Sequence, residues 1–445
     1  MGVMLLLSIN LSSLAKPGEF LEFRAWCRQR RWGTAVSEEA AAPPIPFFRN
    51  RDYLFLVGAQ GLSLTGREIE SLVLPLLVLG LTGSPAQVGL IAAAQTVPYV
   101  VLSLFAGALV DRWDRKWVML VCDAIRVLAF SSLPLAYAFS GLHIAQLYAV
   151  ALVAGSAFVF YNIAEISALP LVVTPDELTR ATSANTVVEW IGENAGPAIG
   201  GVLVGLRRNT VTGAMIAYAV QAAILGLSLP MLFSIRGKLR APRSTRRSLL
   251  IEMREGIVWL FAHPQIRTMA FLAMALSMLF GPVMLAMIVM ARQEFHAAPA
   301  AIGVMFSIGG VAGVASTLMA PWFRMKVPAG AIMVYGVAIW ALGLGAIASA
   351  GSIIALGAAW LILPGVSGIR DVTSISYRLS LIPAEMQGRV NSVFRFVAWG
   401  LRPAALALGG FAIGALGPRP TLWILAAGMT LTAVAAALSP LRRAR

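Results

Sequence analysis

Two glutamates four residues apart, Glu189 and Glu193, stand in the middle of an otherwise apolar stretch, ANTVVEWIGENAGPAIGGVLVG, at 184–205. A run of that length crosses a bilayer as a helix, which takes ~20 residues. The spacing puts both carboxylates on one helix face, about 6 Å apart along the axis at a rise of ~1.5 Å per residue. A charge at that depth costs several kcal/mol unless it is paired or hydrated, so each such group is a candidate for function. Other apolar stretches carry ionisable residues of the same kind. Arg67 and Glu70 sit three apart on one face, with Glu68 turned by ~100°. Asn162 and Glu165 follow in a fourth stretch, Arg370 and Asp371 in a tenth, Arg395 and Arg402 in an eleventh.

The chemistry these residues offer is proton exchange. In the N-terminal half Glu68, Glu70, Glu165, Glu189 and Glu193 are set against Arg67. Either some of the carboxyls hold a proton, favoured by desolvation and like-charge repulsion, or the C-terminal arginines pair across a cavity. Glu193, Glu165 and Glu70 lead the expectation for the exchanging group, with Glu189 and Asp371 in the same set. Arg67, Asn162, Asn194 and Arg370 are expected to hold a substrate, and Arg67 with Arg370 suits an anionic group. Histidine is not expected to carry the proton, because His143, His263 and His296 fall at span ends or in loops.

The elements that position these groups follow from composition. The chain has 445 residues, is 58% hydrophobic and 12% charged, and has a mean hydropathy of +0.79. That excludes a soluble enzyme of this size and reads as a polytopic membrane protein. The spans fall at roughly 53–80, 86–110, 116–139, 143–170, 182–206 and 211–235, then 266–291, 299–323, 328–350, 352–378, 388–415 and 420–440. The expected fold is all-α, with twelve transmembrane helices in two pseudo-symmetric six-helix bundles. The organisation expected is a tail over 1–47, a bundle over 48–235, a hydrophilic linker over 236–265, a second bundle over 266–440 and a short tail over 441–445.

Charge placement sets orientation. Most of the 35 Lys and Arg residues lie in the two tails, the central linker and the loops on the linker's side. The opposite side offers Arg207, Arg208, Arg292 and Arg419. The positive-inside rule therefore puts both termini and the linker in the cytoplasm, in a cell membrane. The net charge of +15 is a topology signal rather than a nucleic-acid footprint. Cys27 and Cys122 form no disulfide framework or metal spacing, and neither metal nor cofactor is expected. Met1–Leu14 is too short to span, and Lys16–Arg31 reads as a basic tail or a surface helix.

The halves echo each other. SPAQVGL at 84–90 resembles APAAIGV at 298–304, and PDEL at 175–178 resembles PAEM at 383–386. Two matches at nearly one offset, each before a corresponding span, indicate duplication, the arrangement of many transporters.

Two motifs carry a family resemblance. The loop Gly107-Ala-Leu-Val-Asp111-Arg112-Trp-Asp-Arg115-Lys116, followed by Asp123 and Arg126, resembles the loop motif of the major facilitator superfamily. There a charge network latches helices on the cytoplasmic side, which assigns Gly107, Asp111, Arg112, Arg115, Asp123 and Arg126 to a cytoplasmic gate. The family usually has glycine where this chain has Asp114. Gly192-x3-Gly196-Pro197-x2-Gly200-Gly201 resembles the fifth-helix motif of the family's antiporters. Its glycines leave a groove for close helix packing, and Pro197 interrupts the hydrogen-bond ladder. With Leu74-Pro75-Leu76-Leu77, Leu169-Pro170-Leu171-Val172 and Gly388-Arg389-Val390, the chain resembles the twelve-span drug:proton antiporter branch that includes macrolide and siderophore exporters. The resemblance implies a cavity lined by the first, fourth, seventh and tenth spans. Arg67 follows Gly66 where that branch commonly has an acid, which unsettles any assumption of a cationic substrate.

The resulting expectation is a monomeric bacterial exporter of a hydrophobic or amphiphilic small molecule, with protons as coupling ion and no nucleic-acid partner. Alternatives are an uptake permease or lipid flippase on the same fold, or a non-transporting scaffold or receptor. No G-x4-G-K-[ST] loop is present for a primary pump, and no Ser-His-Asp set or exposed His or Cys cluster suggests a membrane enzyme.

Overall fold

A computed structural model of the chain describes residues 50–110, 112–139, 141–174, 177–237, 239–240, 249–383 and 386–443. The N-terminal tail, with the Lys16–Arg31 segment and Cys27, lies outside the described residues, as do Asp111 and part of the second repeat motif. All described secondary structure is helical.

The first six spans are single helices: α1 (Arg51–Thr82), α2 (Pro85–Val110), α3 (Arg115–Phe139), α4 (Ile144–Val172), α5 (Leu178–Gly205) and α6 (Thr210–Phe233). The stretch expected to be a hydrophilic linker contains a helix, α7 (Leu249–Ala262), which the charge count concealed. Its sequence LLIEMREGIVWLFA is amphipathic, with Leu260 buried and Glu255 bonded to Arg389 at 2.5 Å. The seventh span is broken into α8 (Pro264–Phe280) and α9 (Val283–Gln293). The eighth and ninth are α10 (Pro299–Lys326) and α11 (Ala329–Ser349). The tenth divides into α12 (Ile353–Trp360) and α13 (Ile362–Leu381), the eleventh into α14 (Gln387–Trp399) and α15 (Arg402–Leu416), and α16 (Pro418–Leu438) is the twelfth.

The three interruptions correct the expectation of continuous spans over 266–291, 352–378 and 388–415. Each lies beside a proline, Pro282, Pro364 or Pro403, which has no N–H to give and whose ring crowds the carbonyl four residues back. Helix starts are fixed locally. The Asn50 side chain accepts from the Asp52 and Tyr53 amides at 3.1 and 3.3 Å, and Asn209 accepts from Val211 N at 2.9 Å.

Ten of the spans are long and apolar enough to cross a membrane on composition alone. The two outside that set are α1 and α5, the helices that carry Arg67, Glu68, Glu70, Glu189 and Glu193. Leucines on the outer surface are bare: Leu128, Leu318, Leu342 and Leu431 are 71–76% exposed. A surface of that kind belongs in lipid.

One end of the bundle carries the central linker, and the two ends are packed differently. At the end away from the linker, a Cβ added to Gly89 of α2 would lie 2.8 Å from Gly410 Cα of α15. One added to Gly201 of α5 would lie 3.0 Å from Gly303 Cα of α10. Gly89 and Gly303 occupy matching places in the repeated motifs, so the duplicated sequence makes the same backbone contact twice, each across the two halves. Arg292 Nη2 also donates to Thr210 Oγ1 across this end at 3.2 Å. At the linker end, a Cβ at Gly107 of α2 or Gly388 of α14 would meet nothing within 4 Å.

Candidate functional site

Gln60, Ser63, Arg67 and Glu70 recur at three- and four-residue spacing, so α1 presents them on one face. Gln60 Nε2 donates to Glu189 Oε1 of α5 at 3.1 Å. Ser63 Oγ donates to Asp123 Oδ1 of α3 at 3.3 Å and accepts from Arg126 Nη1 at 2.6 Å. Arg126 Nη1 in turn pairs with Asp123 at 3.0 Å, and Ser228 Oγ of α6 donates to Asp123 Oδ2 at 2.6 Å. Asp123 and Arg126 are almost fully buried, so the pair is stable only because every oxygen of the carboxylate is satisfied.

Arg67 turns to its sequence neighbour Glu68, at 2.6 Å, rather than to Glu70 or Glu165. Its guanidinium lies 4.8 Å from the Phe158 ring of α4, which Arg126 also approaches at 5.8 Å. Phe158 therefore separates two arginines and offers each a π face. Glu70 is 3% exposed, near Arg126, Arg67 and Gln221. Gln221 lies beside it without closing a hydrogen bond of ordinary length, and both polar atoms of that amide are unpaired among the described residues.

The remaining acids form a line. Glu165 of α4 is 6% exposed, accepts no hydrogen bond from a described residue, and has Glu189 as its charged neighbour. Glu193 faces Glu68, Arg67 and Glu189. Glu165, Glu189, Glu193 and Glu68 thus run from α4 across α5 to α1, with one arginine, Arg67, beside them. Such a line can pass or store a proton, because neighbouring carboxylates in low dielectric repel one another.

The opposite half supplies cations. Arg370 of α13 is 8% exposed, pairs with Asp371 at 2.9 Å and lies 4.0 Å over the Trp340 ring of α11. Pairing of this arginine with an acid across the cavity is thereby corrected, because the neighbouring carboxylate takes that place. Arg378 donates to Asn391 Oδ1 at 2.9 Å and stacks on Phe394 at 3.9 Å. Between α2, α4 and α14 lies a cleft lined by Tyr99, Ser103, Ile163, Ser392, Arg395 and Trp399.

The glycine stripe of α5 packs on α1. Cβ atoms added at Gly192, Gly196 and Gly200 would press on Thr65 and Leu64, on Glu68, and on Ile69 and Val73. Pro197 packs by its carbonyl on Gly303 of α10. Asn194 lies in the same contact and not in open space. Its Nδ2 donates to Trp190 O at 2.6 Å, its carbonyl accepts from Ser307 Oγ of α10, and its amide fills the space beside Gly310. Asn162 is partly buried.

The gate motif divides in two. Arg112 is exposed, while Arg115 Nε donates to Ser167 Oγ at 2.9 Å and its Nη1 to Leu239 O at 3.3 Å. Asp123 and Arg126 lie deeper, in the network with Ser63 and Ser228. A Cβ added at Gly107, the glycine of the gate motif, would meet nothing within 4 Å. Sequence reasoning passes over Gln60, Ser63 and Ser228, the groups that satisfy Glu189 and Asp123, although the spacing of the first two from Arg67 along α1 is readable. Phe158 and Trp340 give no such signal, since aromatic residues in apolar runs are ordinary.

Known proteins bear on this arrangement. The family model described as Major Facilitator Superfamily matches residues 56–405. The multidrug efflux pump Tap of Mycolicibacterium fortuitum is 26% identical over 391 residues, covering 84% of this chain and 92% of its own. Tap of Mycobacterium tuberculosis (strain ATCC 25618 / H37Rv) is 26% identical, covering 88% and 95%. Among solved structures, a bacterial homolog of the human lysosomal transporter Spinster, inward-facing and occupied, superposes with a TM-score of 0.71 at 12% identity, covering 91% and 99%. The nucleoside transporter NupG gives 0.67 at 13%, covering 88% and 100%. With the apolar spans, the duplicated glycine contacts and the match over most of its length, the chain belongs to the Major Facilitator Superfamily and is a membrane transporter.

Proposed function

We propose that the protein exports a hydrophobic or amphiphilic small molecule in exchange for protons, by rocking of the 48–235 and 266–440 halves about a site between them. The observation that carries this reading is Glu165. A buried carboxyl with no hydrogen bond from a described residue and another carboxylate for its charged neighbour has little structural use, and a group that gains and loses a proton in each cycle has a use for that place. Glu193 and Glu189 extend the same line toward Arg67, so a proton and a substrate compete for one electrostatic region.

Direction follows from charge and packing together. Positive-inside counting places the linker end in the cytoplasm. The end closed by Gly89–Gly410 and Gly201–Gly303 is then the outer one, and the state described is ready to load from inside. Efflux pumps among the relatives support that direction. The cycle needs two steps from this chain's residues. A proton arriving from outside neutralises Glu193 or Glu165, which changes the charge facing the bound molecule. Its release inside restores the carboxylate for the next load.

The test uses the full chain in proteoliposomes with an imposed pH gradient, and macrolides, tetracyclines and catechol siderophores as candidate cargo. Antiport predicts gradient-driven flux and proton release on substrate addition, both lost in Glu193→Gln or Glu165→Gln. Flux that is indifferent to the gradient in every variant overturns the coupling, and net accumulation on the linker side overturns export.

A further inference from the structure

The two walls of the transport region carry opposite charge. On one, α1, α4 and α5 set Glu68, Glu70, Glu165, Glu189 and Glu193 around Arg67. On the other, α13, α14 and α15 bring Arg370, Arg378, Arg395 and Arg402 into the bundle, with Asp371 as the acid. Two of these arginines have taken partners: Arg370 is held by Asp371 and Trp340, and Arg378 by Asn391 and Phe394. The other two have not. Neither Arg395 nor Arg402 makes an ion pair with a described residue, and the Nε of Arg402 is buried without a hydrogen-bond partner among the described residues.

These two guanidiniums share one aromatic residue. Arg395, Trp399 and Arg402 follow four- and three-residue spacing, and the guanidinium carbons lie 5.9 and 5.6 Å from the Trp399 ring. Tyr99 of α2 packs against the same ring from the other half, centroid to centroid 5.4 Å. The cleft here has a cavity volume of about 130 Å³, smaller than the ~300–1,000 Å³ of drug-sized sites, which limits an occupant to a small molecule. Ser103 and Ser392 add hydroxyls to its wall. Arg402 lies beyond Trp399 from the cleft lining, with Arg67 and Glu68 as its charged neighbours.

The buried Nε of Arg402, short of a partner, is costly, and what relieves it is an anion with planar oxygen geometry that the exposed Arg395 can also reach. A guanidinium meets a carboxylate with two parallel hydrogen bonds, and flat rings stack on Trp and Tyr. We propose that this cleft takes an aromatic carboxylate, its anion held by Arg395 and Arg402 and its ring by Trp399 and Tyr99. The cargo class is therefore acidic amphiphiles, with the carboxylate wall opposite reserved for the proton. This rests on the transporter reading for its role in flux, though the binding itself stands apart from it.

The experiment measures equilibrium binding to the purified full-length chain in phospholipid-free dodecyl maltoside. The probes are 2-naphthoate, its neutral amide 2-naphthamide, and the cation 2-naphthylmethylammonium. Naphthoate should bind at least tenfold more tightly than either analogue and weaken with added salt. Arg395→Gln and Arg402→Gln should each cut naphthoate affinity tenfold or more and leave the amide unmoved. Arg395→Lys, which keeps the charge without the fork, should recover part of the loss. Should Arg402→Gln fail to fold, the two Arg395 variants carry the test, since that side chain is exposed. Equal binding of the three probes, or an equal loss for all three in the variants, overturns the site. Intact naphthoate binding without pH-driven flux in proteoliposomes overturns antiport and leaves the site standing. Gradient-driven flux of the ammonium probe that ignores Arg395 does the reverse.

Discussion

Gly196 of α5 lies so close to Glu68 of α1 that an added Cβ would overlap the Glu68 Cβ and sit 2.7 Å from its carbonyl carbon. The neighbour is backbone, so it cannot swing aside. Glu68 is also the partner of Arg67, which links the packing of two helices to the position of the one arginine beside the carboxylate line.

Gly196→Ala should therefore destabilise the protein by about 1–3 kcal/mol, the range for overpacking a filled contact, and flux should fall with it. Gly107→Ala is the matched control, because its Cβ meets nothing within 4 Å. Thermal unfolding of both variants in detergent checks this, and equal stability for the two would mean that the α1–α5 contact is loose.

The far-end closure is testable by cross-linking. A Cβ on Gly205 would lie 3.7 Å from the Ala300 Cβ, and one on Gly414 3.9 Å from the Ala86 Cβ. Disulfides join Cβ atoms at about 3.5–4.5 Å. Gly205→Cys with Ala300→Cys, and Gly414→Cys with Ala86→Cys, should oxidise readily in a background where Cys27 and Cys122 are serine. Each disulfide should abolish flux, and reduction should restore it. Full flux with the bond formed would show that this end never opens.

Asp123 and Arg126 offer a test of stability rather than transport. Removing one partner of a buried pair leaves an uncompensated charge, at a cost of about 3–5 kcal/mol. Asp123→Asn or Arg126→Gln alone should lower the unfolding temperature markedly. The double variant should recover much of that loss, since Ser63 and Ser228 can still bond to an amide. An additive double loss would point to the serines, not the ion pair, as the stabilising contacts.

How much of this is readable from sequence depends on range. The spans, the repeat and the α5 glycine stripe are local patterns, and periodicity alone places them. The contact of Gly89 with Gly410 is foreshadowed by the repeat, whose second copy makes the same contact through Gly303. Side-chain pairing is less legible. Face-sharing along α1 points Arg67 toward Glu70, yet it takes Glu68, one residue away, with its guanidinium over the Phe158 ring. Spacing rules describe which residues share a face and say nothing of what fills the gap between helices. The breaks in the seventh, tenth and eleventh spans are marked by prolines, but apolarity runs straight through them. The α7 helix is hidden for a different reason, its amphipathic run being flanked by so many arginines that the whole stretch reads as loop.

The last prediction concerns Arg370 and the ring beneath it. Trp340 is fixed by a hydrogen bond from its Nε1 to Leu363 O at 2.9 Å, so the indole is a rigid platform. Gly336 lies beside the stem of Arg370, with Cβ, Cγ and Cδ at 3.4–3.5 Å from where its own Cβ would be. The guanidinium 4.0 Å above the ring is largely desolvated, and such contacts contribute about 2 kcal/mol. Lysine cannot reproduce the planar stack or the fork to Asp371. Arg370→Lys should therefore lose about 1–2 kcal/mol of stability, as should Trp340→Phe, whose weaker π face also forfeits the bond to Leu363. A double-mutant cycle between the two positions should return a coupling of about 1 kcal/mol or more. Coupling near zero would mean that Asp371 alone holds the arginine, and Arg370 would then be free to swing toward a cargo whenever that one ion pair opens.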